Sequence, residues 1–170
     1  MMQGSKLHWI SSVGGPLVLL DASVLDFWQG ADGDDYERAC DVEGVVGTLK
    51  KDGHDILVMG DEPLETMYHR DGQEDYLVQW MYAPDEDAVI KVLEAMPDAL
   101  ASEISPPVEV CFAEGRQLLA DAAFPGSRAS DHLELSLTPG RYSVHTFDYK
   151  PSDDIHLGVH KLVRSTTGLR

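Results

Sequence analysis

The stretch Asp75-Tyr76-Leu77-Val78-Gln79-Trp80-Met81-Tyr82, running on through Ala83-Pro84 into Asp85-Glu86-Asp87-Ala88-Val89-Ile90-Lys91-Val92-Leu93-Glu94-Ala95-Met96-Pro97, changes its hydrophobic period in mid-course. In its first part Tyr76, Val78, Trp80 and Tyr82 share one face and Leu77, Gln79 and Met81 the other, the two-residue repeat of a half-buried strand. In its second part Ala88, Val89, Val92, Leu93 and Met96 form one stripe at helical spacing. Asp85 is placed to accept hydrogen bonds from the orphan amides at the helix start, the following acids suit the positive end of the dipole, and Pro97 ends the run. A strand followed by one principal helix near residues 85–96 is therefore expected, with the helix lying against a sheet.

On either side the chain reads as strands. Toward the N-terminus these are His8–Ser12, Pro16–Leu20, Val42–Lys50, His54–Gly60 and Thr66–His69. Asp52-Gly53 signals a hairpin between the third and fourth, and Asp71-Gly72 a second one leading into the stretch at Asp75. Beyond Pro106-Pro107 come Val108–Ala113, Gln117–Phe124, His132–Leu137, Arg141–Tyr149 and Ile155–Val163, separated by Glu114-Gly115, Pro125-Gly126, Thr138-Pro139-Gly140 and the stretch from Pro151 to Asp154. Short strands at regular spacing without a βαβ rhythm predict an α+β fold of mainly antiparallel, sandwich-like sheet. The 170 residues fit a single domain, or two β-rich halves, 1–83 and 102–170, joined by the helix.

Hydrophobic residues make up 43% of the chain and charged residues 25%, which excludes disorder of the whole. The longest apolar run, Pro16–Leu20, falls far short of a membrane span. No apolar stretch of signal length follows Met1–Lys6, so the cytoplasm is the expected location. With 13 Lys and Arg against 30 Asp and Glu, the formal net charge is −17. That surface repels nucleic acid and anionic lipid, and it attracts basic proteins.

Motifs of catalysis and metal binding are sparse. Cys40 and Cys111 stand apart in apolar settings without a Cys-x-x-Cys, and read as small core residues. There is no Gly-x-Ser-x-Gly elbow, phosphate loop or His-Glu-x-x-His. His156 and His160 lie on a strand-like stretch that separates them by about 13 Å, too far to share a metal. The acidic run from Asp32 to Glu37 has carboxylates at two positions of a calcium loop, but Tyr36 and Glu37 occupy places that set its geometry; a solvated acidic loop is the expectation. Most aromatics are expected in the core, with Trp28, in the turn-rich Trp28-Gln29-Gly30, the one most exposed.

Several short pieces carry a resemblance. They are Trp9-Ile10-x-Ser12-x-Gly14-Gly15-Pro16-Leu17, Leu25-x-x-Trp28-x-Gly30, Asp35-Tyr36-x-x-Ala39-Cys40, Val46-Gly47, Leu57-Val58-x-Gly60-Asp61-Glu62-Pro63, and the closing Leu135-x-Leu137-x-Pro139-Gly140-x-Tyr142-x-Val144. In order and spacing the chain resembles the bacterial immunity protein 21 family of polymorphic toxin systems. The resemblance implies a stoichiometric inhibitor of a cognate toxin domain, with no cofactor and no catalysis. It assigns no toxin-binding residues.

Charge and aromatic placement give the candidate contact surface: Asp32, Asp34, Asp35 and Glu37 with Trp28 as anchor, and secondarily Asp61, Glu62 and Glu65. These acids would pair with Lys and Arg around a basic toxin's active site. Two other readings stand beside this one. One is a small-ligand or carbohydrate-binding β-domain that stacks its ligand on Trp9, Trp28 or Trp80. The other is a hydrolase, which would need a histidine held by a carboxylate at a pocket.

Overall fold

The computed structural model describes residues 7–60, 64–126 and 131–165. Its strands are β1 (Leu17–Asp21), β2 (Val46–Lys51), β3 (His54–Met59), β4 (Thr66–Asp71), β5 (Glu74–Tyr82), β6 (Val108–Phe112), β7 (Arg116–Asp121), β8 (His132–Ser136), β9 (Gly140–Ser152) and β10 (Ile155–Arg164). They form two five-stranded sheets in the orders β2-β3-β1-β7-β8 and β4-β5-β10-β9-β6, every pairing antiparallel. Each sheet takes strands from before and after the principal helix, through the β1–β7 and β5–β10 pairings, so the two parts of the chain are interleaved.

Alternation decides what each sheet buries. The facing sides meet in a shared core that includes Leu17, Leu19, Leu57 and Met59 from one sheet and Leu77, Phe112, Val144 and Leu162 from the other. The outer sides are apolar too and carry helices. The helix α3 (Glu86–Glu94) lies with Val89, Leu93 and Met96 over Val78, Leu157 and Val159. Each of those three buried side chains contributes about 1.5–3 kcal/mol on the area scale. Asp85 caps α3 by accepting from the Ala88 amide at 2.8 Å. The other sheet buries Val18, Leu20, Ile56 and Val58 beneath the short helices α1 (Ala22–Leu25) and α2 (Asp35–Cys40). The result is a β-sandwich flanked by helix on both sides.

Turn chemistry fixes the hairpin registers. Lys51 pairs with His54 across Asp52 and Gly53, whose φ angles of 51° and 81° are those of a two-residue turn matched to strand twist. Asp71 pairs with Glu74 across Gly72-Gln73. Three expectations need correction. The expected strand His8–Ser12 contributes only a bridge from Ile10 to Thr66, because the chain turns away at once and Ser12 donates to the Gly15 carbonyl. The expected acidic loop is helical from Asp35 to Cys40. Both cysteines are exposed, Cys40 at the end of α2 and Cys111 on the outward side of β6 beside Glu109.

Candidate functional site

The region from Trp28 to Glu37 is a small folded unit. Trp28 is 2% exposed and donates from its indole nitrogen to the Ala122 carbonyl at 3.0 Å. It is therefore a core residue and not the exposed anchor expected, because the strand-end loop at Ala122 supplies the partner that its N–H requires. Two main-chain bonds tie the same loop down, Ala31 N–H to the Ala123 carbonyl and Gly126 N–H to the Trp28 carbonyl. Gly30 sits at φ 56°, and a Cβ there would come within 2.5 Å of the Ala123 oxygen, so both conformation and space demand glycine. The exposed aromatic next to this unit is Phe27, immediately before it, which is 62% exposed.

The acidic residues divide into two kinds. Asp35 is fully buried: it accepts from the Gln29 amide at 2.8 Å, and its other oxygen lies 3.1 Å from the Lys51 ammonium, with Arg38 at 3.8 Å. It pins α2 to the β2–β3 hairpin and cannot meet a partner, contrary to its expected place on the contact surface. Asp32, Asp34 and Glu37 are exposed on this anchored unit. Glu65 is exposed ahead of β4, while Asp61 and Glu62 lie outside the described residues.

Trp28 is buried, and Trp9 and Trp80 are half-buried. Trp9 and Trp80 pack edge to face at 5.3 Å within the α3 layer, and Trp9 donates to Glu86. The carboxylate-held histidine of the hydrolase reading is present at His54, whose Nδ1 lies 2.9 Å from Asp21. Asp21 is fully buried and also accepts from the amides of Ala113 at 3.0 Å and Glu114 at 3.3 Å. Glu114 in turn accepts from the Ser23 hydroxyl. Asp21, His54 and Glu114 are the one cluster with metal-ligand spacing among the described residues. Their donor atoms are committed to hydrogen bonds that latch β1, β3 and the loop after β6 together. His54 borders a depression of about 300 Å³ shared with Cys111, yet no hydroxyl or thiol hydrogen-bonds to its ring among the described residues. This latch gave no sequence signal, since its members come from three distant segments.

Two further depressions lie at opposite ends of the long strands. One, of about 540 Å³, is polar and includes Arg70, Asp75, Tyr142 and Arg164. Its charges are engaged: Tyr68 donates to Asp75, Arg70 lies 3.8 Å from the same carboxylate, and Arg164 donates to the Pro139 carbonyl. Burial, reinforced by Asp75, pushes the Tyr68 hydroxyl well above its usual range. The other, of about 330 Å³, has His160 in its floor, joined to Thr146 and Gln79 at 2.9 Å each. Burial alone lowers the His160 pKa to about 4, which keeps the ring neutral at physiological pH.

No helix among the described residues is long and apolar enough to cross a membrane. Neither a curated protein nor a solved structure matches the chain. Among protein families, Immunity protein 21 matches residues 8–155, a span that includes Trp28, Gly30, Asp35 and the strands β1 to β9, and that ends at the first residue of β10. The chain belongs to the immunity protein 21 family.

Proposed function

We propose that this protein binds a cognate toxin domain and neutralises it stoichiometrically, using an acidic surface to cover a basic active site. The family match over residues 8–155 carries the reading. The placement of the acids supports it. Asp32, Asp34 and Glu37 stand on a unit whose own stability rests on Trp28 and Asp35, so the surface is held in shape before any partner arrives. Preorganised charge lowers the cost of binding and raises the encounter rate with a basic partner. Phe27 replaces Trp28 as the aromatic that this surface offers. Asp61, Glu62 and Glu65 are proposed as a secondary acidic patch. The cytoplasm is the proposed site of action, where the toxin would meet its own producer.

Co-expression with a cognate toxin domain, sought among the neighbouring genes, and scored for cell survival, tests the reading directly. Survival that depends on this chain is expected; death of cells producing both proteins at equal levels would refute it. The triple reversal Asp32→Lys, Asp34→Lys, Glu37→Lys should slow association with that toxin at least tenfold and flatten its dependence on salt. An unchanged rate and salt slope would remove this surface from the interface.

A further inference from the structure

The two sheets differ in strand length. β5, β9 and β10 have 9, 13 and 10 residues, against five or six in each strand of the sheet that faces them. The inward face continues beyond Leu77, Val144 and Leu162, which meet the opposite sheet, into Gln79 and Met81 on β5, Thr146 and Asp148 on β9, and His160 and Gly158 on β10. Among the described residues this end is left open and forms the cleft of about 330 Å³. Its rim is apolar, with Met81 43% and Ile104 47% exposed.

The floor is a chain of hydrogen bonds whose roles follow from the placement of the Gln79 amide. The Gln79 carbonyl oxygen can only accept, so His160 Nε2 carries the hydrogen; Nδ1 of the neutral ring then accepts from the Thr146 hydroxyl. That leaves the amide NH₂ of Gln79, a residue only 7% exposed, without a partner among the described residues and lining the cleft. The Asp148 carboxylate, 39% exposed, supplies an acceptor in the same cleft. A donor and an acceptor beside an apolar rim match a peptide group and its side chain. The volume stands near the lower end of the roughly 300–1,000 Å³ typical of ligand pockets, which suits a side chain better than a cofactor. The carboxylates of Asp148 and of the nearby Glu103, 2.9 Å from His156 and His145, stand beside this apolar rim.

From these features we infer that the open end of the sandwich is the anchoring pocket for a loop of the toxin, one that inserts an apolar side chain between Met81 and Ile104, meets Gln79 through a main-chain carbonyl and carries Lys or Arg beside it. The inference rests on the toxin-binding reading and adds the place where that complex is held. Anchors in desolvated pockets govern the lifetime of a complex, whereas exposed charge governs its encounter rate. The test is surface plasmon resonance with a catalytically inactivated form of that cognate toxin domain. The variants are Met81→Arg and Ile104→Arg, both at exposed positions and both checked for an unchanged melting temperature. Each is expected to speed dissociation at least 100-fold while the salt slope of association keeps its wild-type value. Dissociation within threefold of wild type in both variants would overturn the pocket and leave the toxin-binding reading intact. A wild-type protein that neither binds this toxin nor protects cells from it would overturn the reading and the pocket together.

Discussion

Replacing Asp35 with alanine should cost about 3–5 kcal/mol in urea unfolding, the range for removing one member of a buried ion pair. The substitution strands Lys51, only 16% exposed, and leaves the Gln29 amide without its acceptor. Asp34→Ala, one residue earlier, should leave the unfolding midpoint unchanged, since that side chain is exposed. Trp28→Ala should cost a further class of energy, about 3–5 kcal/mol from the cavity and the loss of the indole bond to Ala122. If Trp28→Ala unfolded at the wild-type midpoint, the packing described for this unit would be wrong. Three residues of one short segment thus serve folding or display according to which way each side chain points. A string of acids cannot reveal that division, because Asp34 and Asp35 are chemically identical and differ only in whether Lys51 is near.

At the scale of elements, the helix and nearly all the strands were legible because each has a repeat long enough to read. The stripe Val89, Leu93, Met96 packs as its spacing requires, and Asp85 caps it. Asp85→Ala should destabilise the protein by about 1 kcal/mol, measured as a lower urea midpoint with an unchanged slope. Asp52-Gly53 announced its turn because few dipeptides accept positive φ at both positions. α1 and α2, with four and six residues, are too short to establish a period, and their stability comes from packing on Val18, Leu20 and Val58. Burial of Trp28 depends on Ala122, 94 residues away, and the Asp21–His54–Glu114 latch on three separate segments; neither leaves a local trace. The exposure of Cys111 was misread. In Val108-Glu109-Val110-Cys111-Phe112 it shares the outward face with Glu109, a phase that its apolar neighbours obscured.

For the molecule as a whole, acidity has one interior consequence. The unfolded chain protonates His160 near its ordinary pKa of 6.5, while the buried ring resists protonation down to about 4. Between those values the unfolded state holds more protons, so this residue's contribution is complete above pH 6.5 and drains away as pH falls toward 4. From pH 7 to pH 5 the loss is about 2 kcal/mol. A His160→Gln variant should lose less stability over that interval by about the same amount, as read from urea unfolding at the two pH values. Parallel pH profiles for the two proteins would refute the assignment. The overhang of β5, β9 and β10 has a consequence of another order. Met81 and Ile104 are 43% and 47% exposed, so substitution there costs the fold little. With the pocket proposed above, lineages that inherit this scaffold would be free to trade one antagonist for another by drift at those two places, so that an arms race proceeds on a frame that stays still.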